Sequence, residues 1–190
     1  MRTLKLQMQI SVDGFVAGPN GELDWMEWNW DDEIKNYVNE LTDSVDTILL
    51  GRKMTEGFIS HWSNIVMNKP DDPSYPFAKK MVDKPKVVFS KTLKESPWEN
   101  TVIANDVVDE INKLKSKNEG TGIIVYGGAT FVSSLIENNL IDEYYLFVNP
   151  ASIGNGLSIF KERKKFKLVK SIPFSCSIVL LNYEPVKNKE

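Results

Sequence analysis

The sequence predicts an α/β fold, and two observations carry that prediction. Strand-like and helix-like segments alternate for about 140 residues, which implies parallel pairing through right-handed crossovers. After that point the chain reads as strands alone, which implies antiparallel additions at one edge of the sheet. With 190 residues, no internal repeat and no flexible linker, a single domain over 1–190 is expected.

The first element is a strand by its period. Leu4, Leu6, Met8, Ile10 and Val12 share one phase, and Thr3, Lys5, Gln7, Gln9 and Ser11 the other. Asp13-Gly14 breaks it, and Gly18-Pro19-Asn20-Gly21 supplies turn chemistry. A helix is expected from Asp31-Asp32, where carboxylates suit the positive end of the dipole, with Ile34, Tyr37, Val38 and Leu41 at helical spacing. Thr47-Ile48-Leu49-Leu50 before Gly51 reads as a buried strand. The stretch from Gly51 to Phe58 suggests a turn into a short helix, and 63–77, with Pro70, Pro73 and Pro76, the longest loop. A helix over 77–82 and strands at 86–90 and 101–104 follow. Asn105 or Asp106 caps a helix carrying Val107, Val108, Ile111 and Leu114. Gly122-Ile123-Ile124-Val125-Tyr126 is the clearest buried strand, and after Gly127-Gly128 the spacing from Thr130 to Asn138 is helical. Strands at 144–148, 166–172 and 175–183 close the chain, the last two separated by Pro173-Phe174.

Composition narrows the function. The 23 Lys and Arg against 26 Asp and Glu leave a net charge of −3, so there is no global field to attract nucleic acid. One His and one Cys cannot build a zinc site of ordinary composition or an internal disulfide, so no metal is expected. His61 is read as a structural loop residue and Cys176, in a late strand, as a small buried hydrophobe. The first residues lack the apolar core of a signal peptide and no run reaches a membrane-spanning length, so a cytoplasmic location is expected.

Three strand ends carry the chemistry. At Val125-Tyr126-Gly127-Gly128-Ala129-Thr130 a buried strand meets two glycines and then a helix, whose free N–H groups suit an anion; a simple change of direction is the alternative. Gly51-Arg52-Lys53 places two cations after a strand, as a phosphate clamp or a solvated turn. Phe89-Ser90-Lys91-Thr92 places a hydroxyl and a cation likewise. Open α/β sheets bind ligands beside such ends.

Taken in order, Ile10-Ser11-Val12-Asp13-Gly14-Phe15-Val16-Ala17-Gly18, Gly51-Arg52-Lys53, Val88-Phe89-Ser90-Lys91-Thr92-Leu93 and Val125-Tyr126-Gly127-Gly128 resemble the dihydrofolate reductase superfamily. The branch most similar is the reductase domain of riboflavin biosynthesis, whose late P-x-x-x-G-x-G-x-x-x-F pattern matches Pro150, Gly154, Gly156 and Phe160. The resemblance implies a three-layer fold with a mixed, mainly parallel sheet flanked by helices, and NADPH as hydride donor. It implies that Gly127, Gly128, Ala129 and Thr130 hold the pyrophosphate. Gly51, Arg52 and Lys53, with Ser90 and Lys91, would surround the 2′-phosphate, and Val16, Ala17 and Gly18 would line the nicotinamide. It also implies a homodimer joined through the late strands. Where the family usually has Thr after the Arg-Lys pair, this chain has Met54, with Thr55 one place later.

A reduction also needs a proton. Dihydrofolate reductases place a carboxylate on the first helix; the nearest counterparts are Asp31, Asp32 and Glu33, and Asp32 is the candidate, with helix capping the alternative use. Trp25, in a loop with Trp28 and Trp30, could stack on a flat heterocycle, or belong to a core or dimer contact. Nine acids against Lys35 between Glu22 and Asp46 favour a neutral or cationic heterocycle. Six cations between Lys161 and Lys170 read as a solvated loop. The expected function is therefore an NADPH-dependent reductase of a pteridine-like or aminopyrimidine-like compound. The alternative is a non-catalytic nucleotide-binding or regulatory protein, favoured by Met54 and the lack of a clear catalytic carboxylate.

Overall fold

In a computed structural model, which describes residues 1–186, eight strands form one sheet in the order β4-β3-β2-β5-β1-β6-β8-β7. The last four residues of the expected 1–190 domain lie outside the described residues. Along the chain the elements are β1 (Thr3–Ile10), α1 (Asp32–Asp43), β2 (Thr47–Gly51), α2 (Arg52–Asn68), α3 (Tyr75–Asp83), β3 (Lys86–Phe89) and β4 (Thr101–Ala104). They continue with α4 (Val107–Ser116), β5 (Gly122–Val125), α5 (Ala129–Glu137), β6 (Glu143–Val148), β7 (Phe166–Pro173) and β8 (Val179–Pro185). β1 to β6 pair in parallel, and β8 runs antiparallel between β6 and β7.

Two apolar layers enclose the sheet. Leu4, Leu6, Met8 and Ile10 of β1 pack with Ile111 and Leu114 of α4 and Val132, Leu135 and Ile136 of α5. On the opposite face Ile34, Val38 and Leu41 of α1 and Met81 of α3 cover Ile48, Leu50, Ile124 and Phe147. β1 therefore lies in the middle of the sheet with both faces covered. Its polar phase is partly covered: Gln7 is buried, Thr3, Lys5 and Gln9 are half-buried, and Lys5 Nζ donates to Ser44 Oγ at 2.8 Å.

The structure corrects the chain between Gly51 and Phe77. α2 is no short helix after a turn but runs 17 residues directly from β2, so 63–68 is helical and only 69–74 links it to α3. Pro76 stands in the first turn of α3, where a missing N–H leaves no bond unmade, so the three prolines mark a short connection. His61 is consequently an exposed helical residue, its ring 4.6 Å from that of Trp62. Cys176 sits partly exposed in the β7–β8 loop, not in a strand. The basic run is exposed, but Lys167 and Lys170 belong to the edge strand β7. Among the described residues no helix is long and apolar enough to cross a membrane.

Candidate functional site

Parallel pairing of β3, β2 and β5 brings the three sequence-predicted strand ends to one edge of the sheet. Gly51 and Gly128 meet there back to back: a Cβ on Gly128 would stand 3.4 Å from Gly51 Cα, and one on Gly51 3.0 Å from Phe131 Cβ. Gly127 and Gly128 both have positive φ, +148° and +89°, a region side chains avoid. The glycines thus let two helix starts approach each other.

α2 begins at Gly51 and α5 at Gly128, and neither has a side-chain cap. By contrast, Asp31 caps α1 through Ile34 N–H at 2.9 Å and Asp106 caps α4 through Asp109 N–H at 2.8 Å. Two uncapped positive ends therefore converge, with no acid in either first turn. Arg52 and Lys53 stand exposed on the first turn of α2, and Thr130 stands exposed beside Ala129 on α5. Thr55 does not replace the missing threonine, because its buried hydroxyl donates to Gly51 O at 3.0 Å. Met54 faces the glycines instead, its Sδ 3.4 Å from where a Gly127 Cβ would lie. Ser90 is buried and its Oγ accepts the N–H groups of Thr92 and Leu93, at 3.2 and 3.0 Å, so it shapes the loop that carries exposed Lys91.

The segment 16–18 is stapled to the late glycine motif. Val16 N–H donates to Leu157 O and Leu157 N–H to Ala17 O, both at 2.8 Å, and Gly18 N–H donates to Glu22 O at 2.9 Å. Gly156 is required here, since a side chain would run into the Ala17 carbonyl. A residue missing from the sequence-derived set, Asp13, holds this staple. Its carboxylate accepts from Ser11 Oγ at 2.6 Å, Ser152 Oγ at 2.8 Å, Gly154 N–H at 2.7 Å and Ile153 N–H at 3.1 Å. Those bonds, Ser11 foremost, hold Asp13 well below the ordinary carboxylate range. Its signal in the sequence was an aspartate directly after a strand and before glycine. Between this loop and α5 lies a cavity of about 250 Å³ lined by Ala129, Thr130, Ser133, Leu157, Ser158 and Lys161. If the strand ends hold a nucleotide, Asp13→Ala should weaken that binding about tenfold by releasing the 16–18 segment, with Asp13→Asn between it and the native chain. Equal nucleotide affinities of the three proteins in a fluorescence titration would refute that role.

The tryptophan loop is also tied down. Trp25 Nε1 donates to Glu22 O at 3.2 Å, Trp30 Nε1 to Glu27 O at 2.8 Å, and Glu27 N–H to Asn149 Oδ1 at 2.9 Å. Asp31 faces inward and also accepts from Cys176 N–H at 2.8 Å and Ser175 Oγ at 2.9 Å. The Ile34 N–H above all holds its carboxyl down to about 2. Asp32 turns outward: its side chain is 95% exposed and lies 3.7 Å from Lys35. The structure therefore joins Gly51, Arg52, Lys53, Gly127, Gly128, Ala129 and Thr130 in one cluster, and leaves Asp32 in solvent.

Fold and strand-end site together define a dihydrofolate reductase-like α/β protein. The RibD C-terminal domain family matches residues 2–180, and the chain belongs to that family. It is 34% identical over 185 residues to the uncharacterized protein YyaP of Bacillus subtilis (strain 168), covering 96% of this chain and 94% of YyaP. A protein of Shewanella sp. PV-4, provisionally named for riboflavin biosynthesis, superposes with a TM-score of 0.71 at 23% identity, covering 98% of this chain and all of that one. A dihydrofolate reductase from Enterococcus faecalis, solved with NADP(H), superposes with a TM-score of 0.64 at 16% identity over 97% of both chains.

Proposed function

We propose that the protein is an NADPH-dependent reductase of a pteridine-like or aminopyrimidine-like heterocycle, of the dihydrofolate reductase or 5-amino-6-(5-phosphoribosylamino)uracil reductase type. The observation that carries this reading is the convergence of the uncapped starts of α2 and α5 at Gly51 and Gly128. Free N–H groups, two dipole ends and adjacent cations fit a pyrophosphate. Bound NADPH supplies the hydride, so the chain needs oriented amides and cations more than a reactive side chain.

In this reading Gly127, Gly128, Ala129 and Thr130 hold the pyrophosphate. Arg52, Lys53 and Lys91 flank the 2′-phosphate, with Ser90 shaping the loop that carries Lys91. Val16, Ala17 and Gly18 line the nicotinamide, and Trp25 offers a ring for the heterocycle to stack on. Asp32 lies in solvent, so in this reading the proton comes from water and not from that carboxylate. The reading takes the chain as one cytoplasmic domain that pairs as a homodimer through β7, an edge strand exposing Leu168 and Val169.

A second reading, binding of the nucleotide without turnover, is favoured by Met54 over the glycines and by the outward Asp32. NADPH fluorescence titration beside NADPH oxidation with dihydrofolate and with the aminopyrimidine separates the two. Binding without oxidation of any pterin or pyrimidine supports the second; no binding removes both. The double variant Arg52→Gln, Lys53→Gln should raise the NADPH Kd more than about tenfold and leave NADH nearly unchanged, because only NADPH carries the 2′-phosphate.

A further inference from the structure

We propose that the cleft between α2, α3 and the loop leading into β4 is a second binding site, for a small flat aromatic monocarboxylate whose acid group is held by Lys86.

The cleft measures about 390 Å³, in the range of small-molecule sites, and its walls are mostly apolar. Phe58 and Trp62 of α2, Met81 of α3 and Trp98 of the β3–β4 loop line it, and the three aromatic rings are only partly covered by the rest of the chain. It lies away from the nucleotide cluster. Lys86 opens β3 and Ser90 follows that strand, so the length of β3, about 13 Å, separates the two places.

Lys86 is the buried polar group of this wall. It shares the strand phase of Val88, which faces the layer covered by α1 and α3, and it is 3% exposed. Val82 O and Lys84 O, at the end of α3, accept two of its three ammonium protons at 2.8 and 2.7 Å. Among the described residues it has no ion-pair partner, and Asp83, the nearest acid along the chain, is engaged by Lys79 at 2.7 Å. Burial pulls the amine down to about 8 against the field of Asp83, so at neutral pH it is still a cation. A buried ammonium without a counter-ion is costly, and an entering carboxylate supplies both an acceptor for the third proton and the missing charge. The rings offer faces and edges to a flat apolar body. Glu99 stands exposed on the rim, where it disfavours a second negative charge and so selects a monoanion.

Calorimetric titrations of the full chain with 2-naphthoate and with its uncharged counterpart 2-naphthamide, each with and without NADPH, test the site. The native chain should bind naphthoate at least tenfold more tightly than naphthamide, equally with and without NADPH. Lys86→Gln, which still offers two amide protons to the α3 carbonyls, should bind the two ligands alike. Trp98→Ala should lose at least tenfold in affinity for both. The charged groups around Lys86 are Asp83 and Lys84 at the end of α3, Glu99 on the rim and, from α2, Glu56 bonded to Trp98 and His61 beside Trp62. Raising the pH from about 7 to about 9.5 discharges the ammonium, and should cost the native chain at least tenfold in naphthoate affinity while leaving naphthamide unchanged. That readout decides the matter if Lys86→Gln does not fold. The proposal is overturned if the native chain binds neither ligand at millimolar concentration, if it binds both alike, or if either variant binds them as the native chain does. Displacement of naphthoate by NADPH also overturns it, because the ligand would then occupy the nucleotide cluster. So does a Lys86→Gln protein that melts earlier yet keeps the preference, because the amine would then only cap α3.

Discussion

Gly128→Asp is expected to raise the NADPH Kd by at least about 100-fold, measured by fluorescence titration of the folded variant. Three effects act in the same direction. Gly128 has φ +89°, which a side chain adopts only with strain. A Cβ there presses on Gly51 Cα at 3.4 Å, against the start of α2. A carboxylate at the N-cap of α5 also accepts the N–H groups proposed for the pyrophosphate and repels its charge. Gly128→Ala separates these contributions, since it introduces the strain and the contact without the charge. It should lose far less affinity while costing about 1–2 kcal/mol of stability. Unchanged NADPH affinity in a folded Gly128→Asp protein would remove the site from the strand ends.

Arg2→Met is expected to destabilise the fold by about 3 kcal/mol, a fall in Tm of roughly 6–12 °C for a chain of this size. Arg2 is 7% exposed and joins three elements at the sheet's opposite edge. Its guanidinium pairs with Asp46 and donates to Thr47 Oγ1 at 2.9 Å and Gly122 O at 3.1 Å. Asp46 also accepts from Thr121 N–H and Thr47 Oγ1, both at 2.7 Å, and Gly122 O from Asp46 N–H at 3.0 Å, so loss of the guanidinium chiefly leaves the carboxylate without its cation. The expected cost stays at the low end for broken buried pairs because the Asp46 side chain is 37% exposed. Thermal denaturation at neutral pH measures it. A shift below about 2 °C would show that water replaces the guanidinium without penalty.

Much of this was legible along the chain because the relevant forces are local. The carboxylate of Asp31 and the spacing of Ile34, Val38 and Leu41 specify α1 without reference to any other segment. Apolar runs such as Gly122-Ile123-Ile124-Val125 name buried strands, since a strand covered on both faces has no polar phase. The same local logic failed over 51–77. There the prolines outweighed the helical period of α2, although a proline in a first helical turn obstructs nothing. For β1 the alternation named a strand and its two phases, and only the order of the sheet places it centrally with both faces covered.

By itself the sequence determined the order of elements, the parallel sheet with its late antiparallel strand, and the glycine and cationic residues at the strand ends. It did so because hydrophobic period, capping and turn chemistry act over a few residues. Only the tertiary structure decided that Gly51 and Gly128 touch, that Asp31 faces in while Asp32 faces out, and that Ser90 uses its hydroxyl to shape its own loop. It alone ties Asp13 to 152–154. The reason is physical. Each such feature depends on which distant backbone or side chain arrives at a given hydrogen-bonding group, and the packing of the whole sheet, not the period of any one strand, selects that neighbour.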